Sequence, residues 1–148
     1  MGGVSIPYYY GLDFQAVIDL VDAIGGIDFD VDITLYDLNG NVLSTKGNNH
    51  LDGERVLAYL RMRRTAGGMD YMRTARQREM LVAIFRKLKD EGKFSMIPEL
   101  LRTMGDNLYT NTTLEQTAAL ANFARSIDPD CIRTYSIYGD MSEQYLWR

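Results

Sequence analysis

A single cysteine, Cys131, stands among the 148 residues, so no internal disulfide can brace the chain. There is also a single histidine, His50, and one Cys with one His cannot supply the ligand set of an ordinary zinc site. A hydrolase of the Ser-His-Asp or Cys-His type would have to use His50 as its base. That residue lies in the polar run Gly47-Asn-Asn-His-Leu51, which reads as a loop before a helix, so a solvated histidine is the simpler assignment. No apolar run approaches the ~18 residues of a membrane span. The first seven residues have neither the basic patch nor the apolar stretch of a secretory signal. Read by itself, the chain is expected to be soluble. Hydrophobic residues at 46% and charged residues at 24% make an ordinary globular composition. A chain of this size buries about 68–70% of the surface exposed when unfolded.

The net charge of −4 conceals an asymmetry. Residues 1–54 hold nine acids and one lysine, a net of −8; residues 55–78 hold seven arginines and one acid, Asp70, a net of +6. Residues 79–148 hold ten acids and eight bases. Lysine is missing from the basic segment, and guanidinium is the planar, permanently charged group that grips phosphate or carboxylate with two parallel hydrogen bonds. Two readings stay open: a solvated or ion-paired face, and an anion site. A nucleic-acid-binding protein would be basic overall, and this chain is not.

The pattern predicts an α/β fold, a mixed β-sheet sandwiched by helices. Residues 8–12 read as a strand, and Asp13 as the N-cap of a helix carrying Phe14, Val17, Ile18, Val21 and Ile24 to a Gly25-Gly26 stop. Residues 27–33 alternate as a half-buried strand, and Asn39-Gly40 marks a hairpin. Short and long helices are expected at 52–60 and from Asp70 to about 91, the latter with Met72, Met80, Leu81, Ile84, Phe85 and Leu88 inward. Further helices are expected at 95–108 and after the capping box Thr113-Leu-Glu-Gln116, then a last strand at 131–138. The division is one domain over 1–139 and a mobile tail over 140–148.

The chemistry concentrates in Arg61-x-Arg63 and Asp70-x-x-Arg73-x-x-x-Gln77. On a helix Arg61 and Arg63 would diverge by roughly 200°, whereas on an extended segment they share a face. A helix fraying near Leu60 lets both reach one ligand. Arg73 and Gln77 share one helix face near its N-terminus, where cations oppose the helix dipole and are best relieved by a bound anion. Arg64, Arg76 and Arg78 are assigned to the rim or to salt bridges. Asp70 is either a helix cap or a catalytic base.

The run His50-Leu-Asp-Gly-Glu-Arg-Val-Leu-Ala-Tyr-Leu-Arg-Met-Arg63, followed by Asp70-Tyr-Met-Arg-Thr-Ala-Arg-Gln77, resembles the signature of the LytR-CpsA-Psr family. Val4 to Phe14, Val21 to Ile27 and Ile132 to Tyr135 resemble further family segments in the expected order. The resemblance implies a bacterial cell-envelope phosphotransferase, membrane-anchored and facing outward. Such enzymes attach an anionic glycopolymer, teichoic acid or capsular polysaccharide, from a polyprenyl-pyrophosphate carrier to peptidoglycan. By that resemblance Arg61, Arg63, Arg73 and Gln77 bind the pyrophosphate and Asp70 accepts the proton of the attacking sugar hydroxyl. The carrier's tail would lie in an apolar tunnel for which Met80, Leu81, Ile84 and Phe85 are candidate walls, with ordinary core as the alternative. Magnesium is implied for the full family domain, but its acid-and-arginine motif lies earlier than anything found before Val4, and no metal ligand is identifiable in this chain. The chain is therefore expected to correspond to the C-terminal portion of that domain, with activity by itself open and a sheet edge exposed. A non-catalytic polyprenyl-phosphate or polymer-binding module is the alternative. The nucleic-acid-binding attenuator suggested by older family labels finds no helix-turn-helix here.

Overall fold

Asp13 starts the first helix as its position predicts. In the computed structural model, which describes residues 5–37, 39–62 and 70–135, its carboxylate accepts the Ala16 amide at 2.9 Å. Strand β1 (Tyr10–Leu12) leads into helix α1 (Phe14–Ala23). Gly25 and Gly26 then take positive φ values of 83° and 72° and end the helix. At Gly26 a side chain has no room, since a Cβ would fall 2.5 Å from His50 Nε2 and 2.8 Å from the Leu51 carbonyl oxygen.

Strand β2 (Ile27–Val31) pairs antiparallel with β5 (Gly47–Leu51), placing Ile27 opposite Leu51 and Asp28 opposite His50. Ile27 and Val31 are buried while Asp28 and Asp30 face solvent, as strict alternation requires. The polar run expected to be a loop is therefore a strand. Its own residues are poor strand formers, but pairing with β2 satisfies its backbone and turns Leu51 inward with Asn48 and His50 outward. His50 Nδ1 lies 2.7 Å from Asp28 Oδ1 in an exposed pair. The hairpin at Asn39-Gly40 joins β3 (Leu35–Tyr36) to β4 (Val42–Ser44), with the Asp37 carboxylate accepting the Asn39 and Asn41 amides at 2.8 Å each.

Asp52 caps α2 (Gly53–Arg61) by accepting the Arg55 amide at 2.9 Å. The long helix α3 runs Asp70–Asp90. Beyond it the single helix expected over 95–108 is broken. A 3-10 turn at Lys93–Met96 buries Phe94, helix α4 covers Ile97–Thr103, and a second 3-10 turn covers Gly105–Asn107. Gly105, at φ 52°, redirects the chain so that β6 (Leu108–Thr110) pairs with β1, Tyr10 opposite Thr110. Helix α5 (Leu114–Ala124) carries the predicted capping box, with Thr113 Oγ1 accepting the Gln116 amide at 3.2 Å and Gln116 Oε1 accepting the Thr113 amide at 2.9 Å. The expected last strand begins instead as a 3-10 turn at Pro129–Cys131, because the Asp128 side chain accepts the Asp130 amide and closes the chain on itself. Residues 132–135 are irregular, and from 136 onward that expectation falls outside the described residues.

The α/β class holds, with the described strands in three antiparallel pairs, β1 with β6, β2 with β5 and β3 with β4. One core joins Val21, Ile24, Ile27 and Val31 to Leu51 from β5, to Val56 and Tyr59 from α2 and to Met80, Ile84 and Leu88 from α3. Met72 and Leu81, expected inward, are 37% and 64% exposed. The inward stripe of α3 has a spacing of four, through Met80, Ile84 and Leu88, and Leu81 lies off it.

Candidate anion-binding site

Helix α2 ends at Arg61, because Met62 is extended, with φ −60° and ψ 122°. The chain thus leaves the helix at Met62, the residue after Arg61. Arg61 is held with its guanidinium 4.4 Å above the Phe14 ring, a cation–π contact that ties α2 to the first residue of α1. One turn apart on α3, Arg73 and Gln77 face the same space. Together Arg61, Arg73 and Gln77 line a cleft of about 860 Å³ whose other walls include Phe14, Leu57, Leu60 and Leu81. Two guanidinium groups and a neutral amide over an apolar floor suit an anion that carries a greasy substituent. Arg63 and Arg64 lie outside the described residues. The described part of α3 begins at Asp70, whose side chain is likewise outside the description. Arg78 is half-buried.

Arg76, assigned from sequence to the rim or to a salt bridge, makes the salt bridge but in the interior. It is 4% exposed. Its Nε donates to Asp32 Oδ1 at 3.1 Å, one terminal nitrogen to Asp32 Oδ2 at 2.9 Å, and the other to the Met62 carbonyl at 3.4 Å. The Tyr59 hydroxyl donates to Asp32 Oδ1 at 3.1 Å, and the Tyr59 ring lies 5.5 Å from the Arg76 guanidinium. Partial burial pushes the Asp32 carboxyl up, but the hydrogen bonds and charge of Arg76, with the Tyr59 hydroxyl, outweigh it and leave Asp32 below the ordinary carboxylate value. Burial first, then the Asp32 charge, pushes the Tyr59 phenol up to about 12. A signal for Arg76 exists in the sequence. Positions 76, 80, 84 and 88 form one stripe of α3, so this arginine heads the row of core residues.

A second cavity, of about 290 Å³, is almost wholly apolar, lined by Leu20, Leu88, Phe94, Ile97 and Leu101 among others. Tyr10 and Leu12 line both spaces. The Tyr10 hydroxyl is fixed by hydrogen bonds of 2.9 Å to Thr117 and to Thr112. Of the candidate tunnel walls, Met80 and Ile84 are buried core, Phe85 packs edge-on against Phe94 at 5.1 Å, and Leu81 lines the arginine cleft.

The magnesium implied by the resemblance finds no fitting donors among the described residues. Among the described residues no three His, Cys, Asp or Glu side chains converge on one point. Also among them, no helix is long and apolar enough to cross a membrane.

An α/β domain in which two helices present arginines to one cleft over an apolar floor is the class defined by this fold and site. The sequence matches the LytR_cpsA_psr family over residues 1–147, and the chain belongs to that family. It is 34% identical over 113 residues to the polyisoprenyl-teichoic acid–peptidoglycan teichoic acid transferase TagU of Bacillus mycoides, covering 76% of this chain and 36% of that protein. To the transferase TagV of Bacillus subtilis it is 30% identical over 148 residues, covering 97% of this chain and 37% of that one. The crystal structure of B. subtilis TagV superposes with a TM-score of 0.73 at 29% identity, over 93% of this chain and 53% of that one. A structure of TagT bound to LI-WTA gives 0.62 at 30% identity, over 84% of this chain and 46% of that one. The chain spans about a third of the length of the curated relatives it matches.

Proposed function

We propose that this chain carries the pyrophosphate-binding part of a cell-envelope transferase. The enzyme would move an anionic glycopolymer, teichoic acid or capsular polysaccharide, from a polyprenyl-pyrophosphate carrier to peptidoglycan at the outer face of the bacterial membrane. The observation that supports this most is the convergence of Arg61, Arg73 and Gln77, from two helices, on one cleft with an apolar floor. In the proposed reaction a peptidoglycan sugar hydroxyl attacks the phosphorus next to the glycan. A new phosphorus–oxygen bond forms, the bridging one breaks, and polyprenyl phosphate leaves. Asp70 takes the hydroxyl proton, and Arg61, Arg63 and Arg73 neutralise the pyrophosphate while Gln77 donates a neutral hydrogen bond. The apolar cavity reached past Tyr10 and Leu12 would receive the carrier's hydrocarbon.

Calorimetric titration with farnesyl pyrophosphate tests the reading. Arg61→Ala and Arg73→Ala should each weaken binding by about one to two decades, the loss of a charge-assisted hydrogen bond worth ~1.5–3 kcal/mol, with cooperative unfolding retained. Asp70→Asn should bind as the parent does and lose transfer to peptidoglycan. If the alanine variants bind normally per folded molecule, the site assignment is wrong. If Asp70→Asn still transfers, Asp70 is not the base.

A further inference from the structure

The residues that line the cleft come from separate elements, and something must hold those elements in register. Arg61 is the last residue of α2, and Met62 follows it. Arg73 and Gln77 lie on α3, with Arg76 next to Gln77. Asp32 belongs to neither helix; it follows β2. Arg76 reaches all three places at once, donating to both Asp32 carboxylate oxygens and to the Met62 carbonyl. Tyr59, on α2 and 1% exposed, donates to the same carboxylate.

From this geometry we infer that Arg76, Asp32 and Tyr59 form a lock that positions the two arginine-bearing helices, making Arg76 a positioning residue for the anion cleft. Arg76 does not line the cleft. Its charge is matched by Asp32, so it adds little to the field that attracts an anion. Its geometry is what it contributes. A guanidinium fork can grip a carboxylate with two nitrogens while a third bonds a carbonyl, which an ammonium on a flexible stem does not reproduce. The Met62 carbonyl is the contact nearest to Arg61, so loosening it frees the end of α2. Losing the Asp32 grip frees the stretch of α3 that carries Arg73 and Gln77.

This inference rests on the cleft being an anion site, and the test separates the two. The probe is inorganic pyrophosphate, with affinity measured by calorimetry on the whole chain and normalised to the folded fraction. Arg76→Lys keeps the positive charge, so a change in affinity reports geometry rather than Coulomb attraction. It and Asp32→Asn should each weaken pyrophosphate binding by about five- to tenfold, the loss of one or two hydrogen bonds. Tyr59→Phe keeps the ring in the core and loses only the hydroxyl, so it serves where the others fail to fold; it should lose about two- to threefold. A second readout needs no ligand. Amide hydrogen exchange should rise in residues 57–62 and 72–80 of each variant while residues 27–31 stay protected.

Affinity equal to the parent's in all three variants overturns the lock, as does exchange that rises everywhere alike or nowhere. If the parent itself binds no pyrophosphate, the proposed function fails instead, and the exchange pattern alone decides the lock: a rise confined to those two stretches supports it, and any other pattern overturns it.

Discussion

Asp32 is the residue on which electrostatics and architecture meet. Its carboxyl is held below its ordinary value of 3.8 because Arg76 and Tyr59 together overcome the effect of its burial. The sign of the linkage follows. A group whose folded value is depressed stabilises the fold above its unfolded value, and that contribution is lost as pH falls through the folded one. At neutral pH the Asp32 contribution is therefore complete, and it declines only as pH drops below the ordinary carboxylate range. Thermal unfolding of the parent and of Asp32→Asn should differ most above the ordinary carboxylate range and converge as pH falls below it, since asparagine cannot titrate. A gap between the two that stays constant over that range would show that the carboxylate charge plays no part. Arg61 is fixed differently, by the face of Phe14 rather than by a carboxylate. The aromatic ring orients that charge without neutralising it.

Among the elements, the contact of α1 with α2 sets where Arg61 stands. Gly53, the first residue of α2, lies against the backbone of α1; a Cβ there would fall 2.6 Å from Ile18 Cα and closer still to the Ile18 carbonyl oxygen. Its amide also donates to Asp22 at 2.7 Å. Two helix backbones meet here with no side chain between them, so the methyl of alanine would have to push them apart. Gly53→Ala should cost about 1–3 kcal/mol by overpacking, measured by urea denaturation. Stability equal to the parent's would mean that the crossing yields freely. Much of this level was legible in the sequence. The Asp13 cap, the double-glycine stop, the alternation of residues 27–31 and the Thr113 capping box are local signals, and local structure obeys them. The elements that were not legible depend on distant partners. Gly47–Leu51 is a strand only because β2 lies beside it, and Leu108–Thr110 only because Gly105 turns the chain back to β1. In the site, Arg61, Arg63, Arg73 and Gln77 were expected together; Arg61, Arg73 and Gln77 line one cleft, and Arg63 lies outside the described residues. The sequence did not show that Asp32, 44 residues away, would take Arg76 out of the charge cluster.

Across the whole molecule the charge asymmetry resolves into pairing and exposure. The acid-rich first third supplies Asp52 to Arg55 and Asp32 to Arg76. Arg55 and Arg76 are thereby matched by carboxylates, as in an ion-paired face. Arg61 and Arg73 line the cleft, whose other walls are largely apolar. The adjoining apolar cavity, behind Tyr10 and Leu12, extends the same surface away from the cations. On the proposed function, an amphiphilic anion would find both halves of its site in these two spaces. The measurement that tests this most directly is an NMR titration of the isotopically labelled protein with farnesyl pyrophosphate. The side-chain N–H signals of Arg61, Arg73 and Gln77 should shift and saturate together at one affinity, with the methyls of Leu81 and Leu12 following the farnesyl chain. Saturable shifts centred on the β2–β5 pair, or no shift at these three side chains while ligand binds elsewhere, would contradict the anion cleft.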